Sequence, residues 1–407
     1  MSSNPATETP SDVTSTQVAT LIARLATEGQ NVSDPKALIR EVAEALRSFG
    51  VPVERCMVGL QVLHPQVRVV SWSWRRGVDE VIEREFDYSL EEQPVYLNSP
   101  ILELRQGTPL IRRRLVGPDA VLDYPILHDL VAEGFTDYVA MSFRVEEGPG
   151  NAVTWATQAP GGFTPSQIFA LQTLLPVLSL LLEVHAQRRI SRALLGTYLG
   201  QDAGRRVLSG QVRRGDGERI RAVIWCSDMR EFTRLSDTLP GPALLSMLNT
   251  CFERQVWAIH RNGGEVLKFI GDGLLAIFRI DERAGAEAEA SRRAVVAGIE
   301  AFASLQEENL RRVGHERLPI RVGLALHIGD VEFGNIGAPD RLDFTVIGPA
   351  VNLASRLESL SKVLGEPFLL SAAVADALAG AGLPIRPLGL QPIRGLPTPQ
   401  PVFAVRL

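Results

Sequence analysis

The chain has 407 residues, enough for two domains, and its composition is that of a soluble globular protein with a core of normal size. The formal net charge of −5 leaves no basic excess, which argues against nucleic acid as a partner. The cysteines are far apart, so they predict neither a disulfide framework nor a metal site and indicate a reducing, cytoplasmic location; they are Cys56, Cys226 and Cys251.

The N-terminal part predicts helices followed by strands. Residues 1–17 are rich in Ser, Thr and Pro without an apolar stretch, so we predict a disordered tail rather than a signal peptide. From about Val18 to Gly50 the pattern is helical, and in ALIREVAEALRSFG the apolar residues share one side. After it come CMVGLQVL and VRVVSWSW, a polar middle region, and then YVAMSFRV and AVTWATQ, which predict two strand pairs.

A long helix is predicted to open at FTPSQIFALQTLL, where Thr164 and Gln167 form a capping box. The apolar run Ile168–Val184 is interrupted by polar residues and a proline and falls short of the ~20 residues that span a bilayer. It therefore predicts a buried or dimer-forming helix and no membrane partner. The Arg- and Gly-rich residues 186–218 predict a solvated linker, a transducer helix followed by a loop.

The order of elements over 18–185 resembles a GAF-type sensor domain, with a helix, antiparallel strands, variable loops and a closing helix. The resemblance implies regulation by a small molecule. A PAS-like module and a plain α+β dimerisation domain that binds no ligand are the alternatives.

Two segments of the C-terminal part each deliver a carboxylate. IRAVIWCSD predicts an apolar strand that ends in Asp228, and the helix entrance that follows, at Phe232 and Thr233, offers backbone N–H groups to phosphate. EVLKFIGDGLLAIF predicts a hairpin with Asp272 at its glycine-flanked tip. Alone, Asp228 fits an N-cap and Asp272 a generic hairpin; together they predict a site for two Mg²⁺ or Mn²⁺ ions.

Other polar residues lie where an apolar element does not need them. Lys268 sits on the first strand of the hairpin, where an edge lysine reaching into water is the alternative. Asn352 and Arg356 are four apart in the amphipathic VNLASRLESL, so they share one helix face, which is also what a simple surface pair does.

These segments, from about Arg221 to Leu378, resemble the class III adenylate/guanylate cyclase family, most specifically in VNLASRLE. The resemblance implies an α+β chain, with a ferredoxin-like (βαββαβ-type) cyclase domain at 219–407 preceded by the GAF-like domain. It implies a homodimer whose two active sites are shared between chains. It assigns the following residues: Asp228, Asp272 and the Met229 carbonyl to two metal ions, Lys268 and Thr345 to the purine, Asn352 to the ribose, Arg356 to the α-phosphate, and Arg321 and Arg394 to the β- and γ-phosphates.

The Lys268/Thr345 pair resembles a bacterial subgroup that accepts adenine. A lysine donor suits N1 of adenine and opposes the N1–H of guanine, which leaves donors unpaired. The sequence thus predicts an adenylate cyclase that converts ATP to 3′,5′-cyclic AMP and pyrophosphate, with bicarbonate as a further candidate effector. A guanylate cyclase and a catalytically silent regulatory module are the alternatives. The hairpin FIGDG lacks the GG-[DE]-EF signature of diguanylate cyclases.

Three departures from the family pattern are visible in the chain. Pro349 replaces the usual acid before VN, WCSD replaces the common F-A-D, and Arg394 stands where a lysine is more usual. None of them removes a catalytic atom.

Overall fold

A computed structural model describes residues 14–29, 32, 34–143, 151–315 and 317–407. The chain divides into two compact units, Met1–Leu194 and Leu195–Leu407. In chain order the first unit contains α1 (Ser15–Glu28), α2 (Pro35–Ser48), β1 (Arg55–Gln61), β2 (Val69–Arg75), β3 (Ile82–Phe86), a 3₁₀ helix (Tyr88–Glu92), α3 (Pro94–Leu97), α4 (Pro100–Arg105), β4 (Leu110–Arg114), α5 (Pro125–Ala132), β5 (Asp137–Phe143), β6 (Asn151–Thr157) and most of α6 (Pro165–Leu199).

The strands of the first unit form one antiparallel sheet in the order β3-β2-β1-β6-β5-β4. Side chains alternate between its faces, as the pleat requires. On one face Val58, Trp72 and Trp155 join the apolar sides of α1, α2 and α6 in the main core. The other face carries residues such as Tyr138 and is covered by the short helices between β3 and β5.

The predicted N-terminal tail is too long. Thr14 caps α1 through a capping box with Gln17, so residues 15–17 are helical, and the rest of the predicted tail, 1–13, lies outside the described residues. The helical stretch to Gly50 divides into α1 and α2. Gly50 ends it with a φ of 87°, a conformation that favours glycine.

Helix α6 is longer than its apolar run suggested. It covers 35 residues, and by length and composition it could cross a membrane. One side of it, with Leu171, Leu174 and Leu178, is buried against the sheet, as in a core helix of a soluble domain. The capping box of Thr164 and Gln167 is confirmed. The absence of a membrane partner stays a prediction.

The predicted linker over 186–218 is not solvated throughout, because its middle part packs on the sheet of the second unit. Helix α7 (Gln201–Leu208) follows α6 after Gly200 and packs on the sheet of the second unit. Leu199, Ala203 and Val207 are four residues apart, so they form one apolar side among the basic residues. The four-residue spacing of these apolar side chains, rather than the surrounding basic residues, determines that α7 packs on the sheet.

The second unit continues from α7 with one large sheet and helices on both faces. Its further elements are β7 (Gly217–Met229), α8 (Phe232–Thr238), α9 (Gly241–Arg261), β8 (Glu265–Ile270), β9 (Gly273–Arg279), α10 (Ala286–Gly314), β10 (Val322–Ala338), β11 (Arg341–Ile347), α11 (Pro349–Leu364), β12 (Phe368–Ser371), α12 (Ala372–Ala377), β13 (Ile385–Gln391) and β14 (Gln400–Val405).

The strand order of the second unit contains a ferredoxin-like unit. The sheet runs β13-β14-β12-β10-β7-β9-β8, and β11 pairs with β10 outside this path. Its segment β10-β7-β9-β8, connected through α9 and α10, is a βαββαβ arrangement. Buried side chains pack α9, α10 and α12 on one face and α7 and α11 on the other. The predicted mixed α+β architecture of this unit is confirmed.

Candidate active site

The two acids predicted to bind metal lie together at one end of the sheet. Asp228 is near the C-terminal end of β7, directly opposite Gly273 of β9. Asp272 forms the tip between β8 and β9, and its carbonyl accepts a hydrogen bond of 3.3 Å from the Met229 N–H. This bond fixes the hairpin tip beside the end of β7, so that residues 44 positions apart share one site.

The electrostatics of this pair favour a bound cation. Burial, reinforced by the negative charge of Asp228, raises the pKa of Asp272 above its ordinary value. The Nζ atom of Lys362, on α11, lies 3.0 Å from a carboxylate oxygen of Asp228 and supplies one positive charge. Two adjacent carboxylates that share a single lysine still carry a net negative charge.

The donor set fits Mg²⁺ or Mn²⁺. These ions prefer oxygen ligands and keep several waters, so two carboxylates and a backbone carbonyl suffice when a nucleotide supplies further oxygens. Within the described ranges no group of three or more His, Cys, Asp or Glu side chains could hold a metal ion instead. We therefore place the candidate metal centre at Asp228, Asp272 and the Met229 carbonyl.

The raised pKa of Asp272 leads to a pH prediction for the metal-free protein. Because the folded state holds the Asp272 proton more tightly than the unfolded chain, the free energy of unfolding falls as pH rises from the ordinary aspartate range through the raised pKa. Thermal unfolding in a chelator should show this loss, and Asp272→Asn should remove it. An identical pH dependence in both proteins would contradict the assignment.

The residues predicted to read the base lie on β8 and β11, two strands that are not paired with each other but are joined by an ion pair. Lys268 is on β8, the edge strand, and its Nζ lies 2.8 Å from Asp343 Oδ2 of β11. Thr345 follows two residues later on β11 and therefore faces the same side. It is buried, and its hydroxyl has no hydrogen-bond partner among the described residues.

Asn352 and Arg356 lie on the first turns of α11. The helix begins at Pro349, after Gly348, so the proline that replaces the family's acid occupies a position where its missing N–H costs nothing. Both side chains are exposed. The guanidinium of Arg356 lies against Gly395, next to the exposed Arg394, where an added Cβ would come within 3.0 Å of it.

The other predicted phosphate contacts lie near the metal acids. Arg321 precedes β10, and its carbonyl accepts a hydrogen bond of 2.8 Å from the Arg230 N–H. A cavity of about 640 Å³ is lined by Arg230, Arg321 and Lys362, among others. Phe232 and Thr233 open α8 after Glu231, which has a φ of 61°; Phe232 is half-buried and Thr233 is exposed.

Thr345 and Asp228 pair with well-separated positions of β10, whereas Lys268 lies four residues before Asp272 on the same hairpin. On β10, Gly323 pairs with Asp228 and Gly334 pairs with Thr345. These glycines are eleven residues apart, a contour of about 36 Å at roughly 3.3 Å per residue. On α11, Asn352 is ten residues from Lys362, or ~15 Å along the axis.

The sequence reasoning missed three ion pairs at the site. They are Lys362 with Asp228, Lys268 with Asp343, and Arg230 with the buried Glu358. The Lys362–Asp228 and Arg230–Glu358 pairs each join residues more than 120 positions apart, so no local sequence pattern predicts them. A weak signal for the third was Gly323, because a Cβ there would overlap the Arg230 guanidinium.

The family model that matches this chain lies in the second unit. A family model described as "Adenylate and Guanylate cyclase catalytic domain" matches residues 219–400. An adenylate cyclase of Anabaena cylindrica is 32% identical over 158 residues, 39% of this chain and 30% of that protein. Adenylate cyclase 1 of Rhizobium meliloti is 31% identical over 182 residues, 44% of this chain and 26% of that protein.

The chain thus spans less than a third of the length of these curated relatives. Among solved structures, the adenylyl cyclase CyaB from P. aeruginosa is 28% identical with a TM-score of 0.42 and covers 47% of this chain and 96% of its own. The family model matches residues 219–400, and the relatives named above are adenylate cyclases. The C-terminal unit of this chain, over residues 219–400, is therefore a class III adenylate/guanylate cyclase catalytic domain.

Proposed function

We propose that the protein is an adenylate cyclase that converts ATP to 3′,5′-cyclic AMP and pyrophosphate. The observation that carries the proposal is the paired carboxylates of Asp228 and Asp272, one with a raised pKa, at the sheet end of a cyclase catalytic domain. Relatives of about 30% identity that are named adenylate cyclases support the choice.

In the proposed reaction the ribose 3′-hydroxyl loses its proton to water and its oxygen attacks the α-phosphorus, while the bond from that phosphorus to the oxygen shared with the β-phosphate breaks and pyrophosphate leaves. When bound, the metal ions supply Lewis-acid activation and neutralise phosphate charge. Asn352 orients the ribose, and Arg356 stabilises the negative charge that develops on the α-phosphate. Arg321 and Arg394 hold the outer phosphates.

Base choice is assigned to Lys268 and Thr345. Asp343 holds the Lys268 ammonium at the edge of the sheet, two residues from Thr345. A buried hydroxyl without a partner costs about 1–3 kcal/mol, which a hydrogen bond from a nucleobase would relieve. The arrangement supports adenine; a guanylate cyclase remains the alternative, since the family includes both activities.

The proposed active unit is a homodimer with shared sites. Asn352 and Arg356 are exposed in the single chain, although groups that stabilise a transition state work best where water is excluded. A second copy that covers α11 would enclose them and bring its own Asp228 and Asp272.

The direct test of the function is product identification. The purified protein is incubated with ATP or GTP and with Mg²⁺ or Mn²⁺, and the nucleotides are separated and identified by mass spectrometry. Cyclic AMP and pyrophosphate in equal amounts are expected from ATP. Cyclic GMP as the main product would favour the alternative, and no product with either nucleotide would favour a silent module.

Exchange of the base-reading pair should change the substrate. In Lys268→Glu/Thr345→Cys the adenine contacts are lost, and two mispaired hydrogen bonds should lower the ratio of kcat/KM for ATP to that for GTP by about 10–100-fold. Steady-state rates with both nucleotides measure this ratio. Thr345→Ser keeps the hydroxyl and serves as the matched control; an unchanged ratio in the double variant would place base reading elsewhere.

The N-terminal unit is proposed to be a GAF-like sensor that regulates the cyclase. Its antiparallel sheet, with a helical core on one face and short helices covering the other, supports a small-molecule site. A protein truncated to begin near Ala193 should differ from the full chain in basal rate or in its response to effectors, bicarbonate included. If the truncated protein and the full chain have equal rates and equal responses, the N-terminal unit does not regulate the cyclase and would serve dimerisation or localisation instead.

A further inference from the structure

The N-terminal unit contains a cavity on the sheet face opposite α1, α2 and α6. Its volume is about 290 Å³, close to the lower end of the roughly 300–1,000 Å³ that small-molecule sites occupy. Alternate residues of β1, β2, β5 and β6 form its floor. The 3₁₀ helix, α3, α4 and α5 provide the opposite wall.

The charged residues that line this cavity are all positive. They are Arg55, Arg84 and Arg105, and no lining residue is a carboxylate. Arg55 has Glu133 at 3.9 Å, whereas neither Arg84 nor Arg105 forms an ion pair with any carboxylate in the described ranges. The cavity therefore carries an uncompensated positive charge.

Protein groups fix the position of the Arg105 side chain, but none of them is a carboxylate that would neutralise its charge. Its Nη1 donates a hydrogen bond of 2.6 Å to the Tyr96 hydroxyl, and its guanidinium lies 5.1 Å from the centre of that ring. In the orientation that satisfies both groups, the Gln61 carbonyl lies 3.1 Å from both terminal nitrogens. The Nε atom is buried without a partner among the described residues. This half-buried guanidinium has no carboxylate partner among the described residues, so its remaining N–H groups can form charge-assisted hydrogen bonds to an anion.

The rest of the cavity combines hydrogen-bonding groups with apolar walls. Tyr138 and Thr154 on the floor are buried. Leu90, Ile101 and Leu130 lie on the opposite side. A ligand that is complementary to these apolar walls has an apolar body. A negatively charged group at one end of the ligand would be complementary to the arginines.

We propose that this cavity binds a small organic anion with an apolar body, and that its acidic group contacts Arg105. The proposal deepens the sensor role given above, and its consequence for catalysis rests on that role. Binding itself is measured without nucleotide, so failure of the cyclase activity and failure of this site are distinguishable.

The test titrates the full-length protein calorimetrically with three probes of one shape: phenylacetate, phenyl phosphate and the neutral phenylacetamide. At least one anion should bind at least ~10-fold more tightly than the amide, a difference of about 1.4 kcal/mol. The stronger anion identifies a carboxylate or a phosphate head. Equal affinity for acid and amide, or no binding of any probe, would overturn the proposal.

Two variants locate the site, and one provides the control. Arg105→Met keeps side-chain length, removes the charge and should abolish the preference for the anion. Gly59→Ile should block binding by filling the floor, because a Cβ at Gly59 has no neighbour closer than 3.9 Å and a β-branched residue suits a strand. Arg24→Met, on α1 across the sheet, should bind like wild type.

These variants keep the test decisive even if one fails to fold. If Arg105→Met does not fold, probe binding by Gly59→Ile still tests the site. The melting temperature of Gly59→Ile shows whether that variant is folded. Wild-type binding by a folded Gly59→Ile protein, or an equal loss in Arg24→Met, would place the ligand outside the cavity and overturn the proposal.

Discussion

Replacing Asp228 or Asp272 with asparagine is expected to lower kcat/KM for ATP by about 10³-fold or more, because Lewis-acid stabilisation contributes several kcal/mol. Asparagine keeps the shape of the side chain but withdraws the charge that holds the cation. The loss should appear in steady-state assays at fixed Mg²⁺ and should persist at the highest Mn²⁺ concentration that the protein tolerates.

The fold should survive both changes. Asp272 is destabilised as a carboxylate by burial and by Asp228, so Asp272→Asn relieves repulsion and should leave the metal-free melting temperature equal or higher. Asp376→Asn, an exposed acid of α12, is the matched control and should keep wild-type turnover. Near-wild-type activity in either site variant would remove these acids from the metal centre.

Mixing two inactive proteins is expected to restore activity. In Asp228→Ala the metal half of the site is lost, and in Asn352→Ala the ribose half is lost. If each site takes one half from each chain, a mixed dimer contains one intact site. Random exchange of equal amounts then recovers about a quarter of the wild-type sites, since half of the dimers are mixed and each has one good site.

The measurement compares the mixture with each variant alone, at the same total protein. Subunit exchange is followed with differently tagged chains, so that formation of mixed dimers is shown independently of activity. A mixture of variants that both lie in the metal half, Asp228→Ala with Asp272→Ala, should stay inactive and is the matched control. An inactive first mixture with mixed dimers present would contradict the shared site.

The elements that carry the candidate site follow from local sequence. An apolar run that ends in Asp228, a glycine-flanked Asp272 and an amphipathic stretch after Pro349 each specify their own strand, turn or helix. Local pattern could not place Lys362 on Asp228 or Asp343 on Lys268, because these contacts depend on how α11 and β11 pack on the sheet. The unpartnered hydroxyl of Thr345 is likewise a property of packing.

The N-terminal unit shows the same division. The paired strands and the capped closing helix were predictable from β-branched runs and from Thr164. The segment described only as a polar middle region contains β3, α3, α4 and β4, short elements whose few residues give no clear period. Arg105 lies in that segment, and the residues next to it in the sequence do not predict a cavity.

The ion pair of Lys362 and Asp228 has a consequence for which ions can enter. The Lys362 ammonium group lies 3.0 Å from the Asp228 carboxylate and carries one positive charge. Because it is attached to the protein, its presence at the site does not depend on an ion concentration in solution. A sodium or potassium ion brings the same charge and must give up its hydration, so it gains little by displacing the lysine. A doubly charged ion gains twice the Coulomb attraction at the same distance. A divalent ion pays a larger dehydration cost, but Mg²⁺ keeps several of its waters and attracts both Asp228 and Asp272, so we expect the lysine to compete better against monovalent than against divalent cations.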